Sequence, residues 1–265
     1  MRRFDLVEPR SLSEACAMLA NDSDAKVVAG GTALLTIIKQ GLLLPKLLVN
    51  LKKISDASAI TFDPVQGLRI GTLATINEIE TSETVQTHSP ALAEACHVVA
   101  NIRIRNMATL GGNLAHGDYQ SDPPTVLAAL DARVELMRAG KVRQLALTDF
   151  QLGSYETALL TGELLAAVII PPLPQGMNGN YVKFTTGSSE ERPCAGVAAL
   201  AKVQDGVCHE LRLAVGAVSA KPLRIAAEEL ATGKALTAEL IATIAAAAAR
   251  TIDPIDDVRG PADYK

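Results

Sequence analysis

The apolar positions at Lys26–Val28, an apolar helical period near Ala33–Gln40 closed by Gly41, and a second apolar run at Leu47–Leu51 predict strand, helix and strand, a small βαβ unit. From Ser55 the pattern changes. Strand signals at Leu68–Leu73, a helical stretch near Ala91–Ala100, and apolar runs at Ala132–Met137 and Leu164–Pro171 predict a mixed α+β section. The stretch Pro171-Pro172-Leu173-Pro174-Gln175-Gly176 cannot sustain a central strand, because proline removes ladder donors, and it marks a boundary. Beyond it, Asn180–Thr186, Gly196–Val203 and Val207–Ser219 predict three antiparallel strands, the last two joined at Gln204-Asp205-Gly206. Two helices follow, near Pro222–Ala231 and Thr237–Arg250. The chain thus divides into 1–54, 55–172 and 177–265, with no repeat of solenoid type.

Composition narrows the function classes. A formal charge of −4 over 265 residues, acids and bases interspersed, leaves no basic stripe for nucleic acid. Met1-Arg2-Arg3-Phe4-Asp5 is not followed by an apolar export segment, and the longest apolar candidate, Ile241–Ala249, is too short to span a membrane. A soluble, cytoplasmic chain is expected. Cys16, Cys96, Cys194 and Cys208 are scattered without CxxC spacing, which predicts reduced, mostly buried thiols rather than cluster or zinc ligands.

Two glycine pairs carry the candidate chemistry. Gly30-Gly31, in "VVAGGTALL" (Val27–Leu35), lies between a strand and a helix. A backbone without side chains there either serves the bend or admits an anion to free N–H groups. No Gly-Lys-Ser/Thr follows and the G-x-G-x-x-G pattern is missing, so it is neither a Walker loop nor a Rossmann fingerprint. The second pair, Gly111-Gly112, sits in "NMATLGGNLAHGDYQSDPP" (Asn106–Pro124), flanked by Thr109 and Asn113 and followed by a loop with Asp118, Asp122 and two prolines. Together the pairs would let one extended ligand, such as a nucleotide diphosphate, touch backbone N–H groups from two subdomains.

"AGGTALL" (Ala29–Leu35) and "IRNMATLGGNLAHGDYQSDPP" (Ile104–Pro124) resemble the AGGT/S and IRN-x-(G/A)-T-(I/L)-GGN signatures of the FAD-binding medium subunit of molybdenum hydroxylases. That family includes the medium subunit of aerobic carbon monoxide dehydrogenase and the flavin domain of xanthine dehydrogenase. "AVGAVSAKPLRIAAEE" (Ala214–Glu229) resembles its C-terminal domain, so the likeness covers nearly the whole chain. It implies an α+β protein with a two-subdomain FAD-binding fold of the vanillyl-alcohol-oxidase (PCMH) type. In that fold 1–54 and 55–172 grip the cofactor, and 177–265, with its three-stranded antiparallel sheet and helices, covers it.

The resemblance places Ala29, Gly30, Gly31, Thr32 and Ala33 at the diphosphate of a noncovalently held FAD, although relatives often carry serine or aspartate at position 33. Thr109, Gly111, Gly112 and Asn113 match the second cradle, Asp122 an acid near the ribityl chain, and Lys183 a lysine near the ring. Each has a plainer alternative. Asp122, before Pro123, could start a turn; Lys183 could be a solvated strand residue; Thr109 and Asn113 could cap their own loop. His116 reads as a loop-packing residue. Arg103 and Arg105 alternate with Ile102 and Ile104 in what reads as a strand, Arg103 on a solvated face and Arg105 ordering the loop.

Two departures stand out: "SSEERPCAG" (Ser188–Gly196) replaces an arginine-rich segment, and the chain ends at "GPADYK", where relatives continue with another helix. The function implied is electron transfer. A large molybdopterin subunit would oxidise the substrate and a small [2Fe–2S] subunit would feed this FAD. The flavin would then reduce NAD, oxygen or a quinone, in an assembly expected to be a dimer of heterotrimers. The alternatives are a self-contained FAD oxidase acting on its own small substrate and a non-redox nucleotide-binding module.

Overall fold

The computed structural model describes residues 3–265; Met1 and Arg2, the start of the N-terminal segment considered above, lie outside the described residues. The first unit is β1 (Asp5–Val7), α1 (Leu12–Asn21), β2 (Lys26–Val28), α2 (Leu34–Lys39) and β3 (Leu47–Asn50). Its sheet has order β1-β3-β2 with both pairings parallel, as the predicted βαβ unit requires. The apolar pattern gave β2, α2 and β3 but passed over β1 and α1. Ser11 starts α1 by accepting from Glu14 N at 3.1 Å, and the helix buries Ala15, Cys16 and Leu19 against Val49, Leu51 and Ile54.

The second unit begins with the hairpin β4 (Ile60–Asp63) and β5 (Gly67–Gly71). A helical excursion follows: α3 (Ile76–Thr81), α4 (Glu83–His88), α5 (Pro90–His97), α6 (Ile102–Arg105), α7 (Leu110–His116) and α8 (Asp122–Ala129). The chain then returns through β6 (Arg133–Arg138), β7 (Lys141–Ala146), α9 (Leu147–Phe150), the small hairpin β8 (Gln151–Gly153) and β9 (Glu156–Thr157), and β10 (Leu164–Ile170). The five-stranded sheet has order β4-β5-β10-β6-β7. The continuous apolar run of β10 suits its central place, with six of seven residues buried.

Two sequence readings are corrected here. Ile102–Arg105 is a helical turn rather than a strand, because Asn101 Oδ1 accepts from Arg103 N and Ile104 N, both at 3.2 Å, and caps it. The stretch around Asp122 is not a loop: Asp122 opens α8, and Pro123 and Pro124 occupy the first turn, where a missing N–H costs no helical hydrogen bond.

After Pro171–Gly176, β11 (Met177–Phe184), β12 (Ala195–Gln204), β13 (Val207–Gly216) and β14 (Leu223–Ile225) form an antiparallel sheet in chain order. The expected three strands are therefore four. The stretch near Pro222 expected to be helical instead pairs β14 with β13 through Leu213–Ile225 and Val215–Leu223, and only α10 (Glu228–Ala231) remains helical before α11 (Ala238–Thr251). Pro222 would be tolerated at the start of a helix as well as just before an edge strand, so it is the pairing with β13 that decides for strand.

One core joins the second and third units. Helix α8 is buried at every position, mostly apolar apart from Asp122 and Thr125, and packs on α5 on one side and β12 and β13 on the other. Leu92, Val126, Leu127, Val134, Val168, Tyr181, Ala198, Leu200 and Ala214 belong to the same cluster.

Candidate functional site

A cavity of about 850 Å³ runs between the three units, toward the upper end of the range for cofactor and ligand sites. Ala29, Gly30, Gly31, Thr32, Ala33, Thr109, Gly111, Gly112, Asn113, Asp122 and Lys183, named from sequence, all line it. The register that assembles them is local. Thr75 caps α3 in a box with Glu78, and a bridge pairs Thr75 with Thr109. Ile76 N donates to Ala108 O at 2.9 Å and Leu110 N to Ala74 O at 2.9 Å, pinning the start of α7 beside β5. Thr109 then caps α7, its Oγ1 accepting from Gly112 N at 3.2 Å. The capping alternative for Thr109 is thus realised within the cavity wall itself. Asn113 Oδ1 accepts from Ser121 Oγ at 2.9 Å, tying α7 to the turn before α8.

The four glycines have different reasons to lack a side chain. A Cβ on Gly30 would lie 1.9 Å from the Met107 carbonyl oxygen, and one on Gly111 1.8 Å from Thr72 Oγ1. Those two permit close backbone packing between segments. Gly31 sits at φ +74°, a left-handed conformation that disfavours any side chain. Gly112 differs: beyond its chain neighbours and its own helix backbone, the sole heavy atom within 4 Å of its Cβ position is Thr109 Oγ1 at 2.9 Å, so what glycine keeps clear there is cavity. Ala33 begins α2 with no side-chain cap, leaving its first turn without a side-chain acceptor where the helix meets the cavity. A cradle that one Cβ would fill, a helix start without a side-chain cap and a long cavity all suit an extended dinucleotide such as FAD.

Asp122 and Lys183 face each other at another part of the wall. Lys183 Nζ donates to Asp122 Oδ2 at 3.1 Å and to Val98 O at 2.8 Å, and Tyr181 Oη donates to Asp122 Oδ1 at 2.8 Å. Both charged side chains are about 95 % buried, which removes the solvated-strand reading of Lys183. Burial pushes the Asp122 carboxyl up to about 6, against the downward pull of Lys183 and of the Tyr181 hydroxyl. Val98 precedes a tight turn in which Arg105, nearly buried, donates to Val99 O at 3.2 Å and pairs with Glu80 at 2.8 Å. Arg105 therefore orders the loop, as its place in the motif implies, while Arg103 is exposed.

His116 lines the cavity and packs on Tyr155, ring centroids 5.1 Å apart; burial is the main force lowering its pKa. Distant in sequence, Glu190, Glu191, Arg192 and Arg259 complete the wall near Asp118. Arg192 Nε donates to Asp118 Oδ2 at 2.7 Å, Arg259 pairs with Glu191, and Asn101 Nδ2 donates to Glu190 Oε2 at 3.0 Å. Sequence patterning missed these four, since they lie in irregular segments and pair across 65 residues or more. Beside the α1–β2 turn, Glu163 accepts from Arg143 Nε and Nη2 at 2.7 and 2.8 Å. All four cysteines are buried and free. Among the described residues, no helix is long and apolar enough to cross a membrane.

Residues 2–173 match the family described as FAD binding domain in molybdopterin dehydrogenase, and 183–265 match the CO dehydrogenase flavoprotein C-terminal domain. The chain is 32 % identical to the carbon monoxide dehydrogenase medium chain of Hydrogenophaga pseudoflava, covering 99 % of this chain and 92 % of that one. It is also 32 % identical to the nicotine 6-hydroxylase medium subunit of Paenarthrobacter nicotinovorans, covering 97 % and 90 %. Among solved structures, quinoline 2-oxidoreductase from Pseudomonas putida 86 superposes with a TM-score of 0.94 at 32 % identity, covering 99 % of this chain and 91 % of that one.

Proposed function

The chain belongs to the FAD-binding medium subunits of the molybdenum hydroxylases, and from that premise we propose that it is the electron-transfer subunit of a heterotrimeric cytoplasmic enzyme. In this reading a small [2Fe–2S] subunit delivers electrons to it, a large molybdopterin subunit oxidises the substrate, and the whole forms a dimer of heterotrimers. The observation that carries the reading is the meeting of both glycine motifs, Asp122 and Lys183 on one elongated cavity walled by all three units.

FAD, when bound, takes up electrons singly or in pairs, which suits a junction between one-electron carriers and a two-electron acceptor. This chain's own residues hold and tune that group. Gly112 keeps a side chain away from the diphosphate, Gly31 supplies the left-handed turn that leads into α2, and Thr32 and Asn113 offer polar groups beside it. Thr109 spends its hydroxyl on the cap of α7 and fixes the Gly112 backbone. Asp122, anchored by Tyr181 and Lys183, presents a fixed carboxyl to the ribityl side, and Lys183 places a buried positive charge near the ring. The names of the relatives, which span carbon monoxide, nicotine and quinoline, support placing substrate choice on another subunit.

Purification from the native host tests the proposal. The expected isolate is yellow, carries molybdenum and iron in stoichiometric amounts, and contains two further polypeptides. A colourless chain without partners would refute it, as would anaerobic bleaching of the isolated chain's flavin by a small substrate without other subunits.

A further inference from the structure

Three stretches remote in sequence, 118–120, 190–192 and 257–259, meet at one end of the cavity and are tied pairwise. Asp118 Oδ2 accepts from Arg192 Nε at 2.7 Å, Glu191 pairs with Arg259, and Asp257 Oδ2 accepts from Tyr119 Oη at 3.0 Å and from Gln120 Nε2 at 2.9 Å. The circuit closes through neighbours on each stretch: Gln120 N donates to Asp118 Oδ1 at 3.1 Å and Arg259 N to Asp257 Oδ1 at 2.8 Å. Lys265 Nζ is a further donor to Asp257, so this carboxylate gathers four donors from three parts of the chain. Burial and Asp257 hold the Tyr119 phenol up to about 12, so it remains a donor to Asp257 well into alkaline pH. Asp257 lines no part of the cavity, yet Asp118, Gln120, Glu191, Arg192 and Arg259 do. The turn it grips runs directly into Asp122, the first residue of α8.

We propose that Asp257 is a positioning residue which locks the 118–120 turn, the 190–192 segment and the C-terminal tail into one closed wall that retains the flavin. Each tie alone is a partly exposed polar contact of modest strength. Linked in a ring they become cooperative, because releasing one side frees the other two to move. The lock also gives the unusual Ser188–Gly196 segment a role: Glu191 and Arg192 supply two of its three sides. The idea rests on the flavin reading, and the test keeps the two separable.

The experiment uses the full chain in the assembly in which it is isolated, as wild type, Asp257→Asn, Arg192→Gln and the double variant. FAD release after dilution, amide hydrogen exchange of the flavin-free protein and thermal melting are measured for each. Each single variant is expected to release FAD about tenfold faster with little change in melting. The double variant should match them rather than reach about a hundredfold, since either change opens the same ring. Asp257→Asn should also accelerate exchange at 188–192, where it substitutes nothing. Unchanged exchange there, or additive effects on release, would overturn the lock. Should no form take up FAD, the flavin reading fails, and the exchange coupling alone still decides whether the lock exists.

Discussion

Alanine at Gly112 and alanine at Gly30 should have opposite consequences, although both positions belong to the paired glycines. At Gly30 the new methyl would sit 1.9 Å from the Met107 carbonyl oxygen, where ordinary contact begins at 3.4 Å, an overlap of 1.5 Å against backbone. Nothing flexible can yield, and the expected loss of stability is at or above the ~3 kcal/mol end of the overpacking range. At Gly112 the methyl meets Thr109 Oγ1, at 2.9 Å, and relieving that contact takes a shift of a few tenths of an ångström that weakens the hydroxyl's cap on α7, at a cost of about 1 kcal/mol. Helix α7 meanwhile gains up to about 1 kcal/mol from replacing glycine by alanine. The flavin-free Gly112→Ala protein should therefore melt within a few degrees of wild type. Its methyl occupies cavity space beside the proposed diphosphate and costs one or two charge-assisted hydrogen bonds, so FAD should bind roughly 10- to 1,000-fold more weakly. Thermal melting of the flavin-free proteins and titration of FAD by the flavin absorption band measure the two quantities. Wild-type FAD affinity in Gly112→Ala would refute the cradle; a wild-type melting temperature in Gly30→Ala would refute the packing argument.

The Asp122–Lys183 pair gives two further expectations. The Asp122 carboxyl is raised to about 6, so the folded state holds its proton more tightly than the unfolded chain does. Its contribution to stability is then full below about pH 4 and is lost as pH rises to about 6; a pH series of melts should lose this component in Asp122→Asn, and an unchanged profile would contradict the assignment. Lys183→Met leaves that carboxyl buried without its cation and should cost about 3–5 kcal/mol near pH 8, with partial recovery near pH 5 where the acid is protonated. Equal losses at both pH values would rule out the ion pair as the cause. Burial raises the thiol pKa of Cys16, Cys96 and Cys208, and all four cysteines are enclosed, so a disulfide reagent should find no fast-reacting thiol until the protein unfolds.

The cavity was legible in the chain because its main determinants are local. Gly30-Gly31 follows a three-residue strand, Gly111-Gly112 follows a capping threonine, and each is read within a dozen residues. The helical excursion was less so: Asp122-Pro123-Pro124 looks like a turn until its prolines are placed in a first helical turn, and Ile102–Arg105 alternates like a strand until Asn101 caps it. Strand β14 reads as helix by composition and pairs because β13 offers an open edge beside it. Least legible were Asp257, Arg259 and Glu191. Their partners are set by where the C-terminal tail lands, and no period or motif announces a contact between residues 191 and 259.

Pro171–Gly176 is where a genetic engineer would cut, and the packing of α8 says what would follow. Its outward side chains are covered by β12, β13 and β14, and Met177, Tyr181, Ala198, Leu200 and Ala214 belong to the core built before the prolines. The two fragments should be poorly soluble apart and recover by complementation when co-expressed. The two halves fold as one module, and an exchange of either half would need a partner whose helix fits the same sheet.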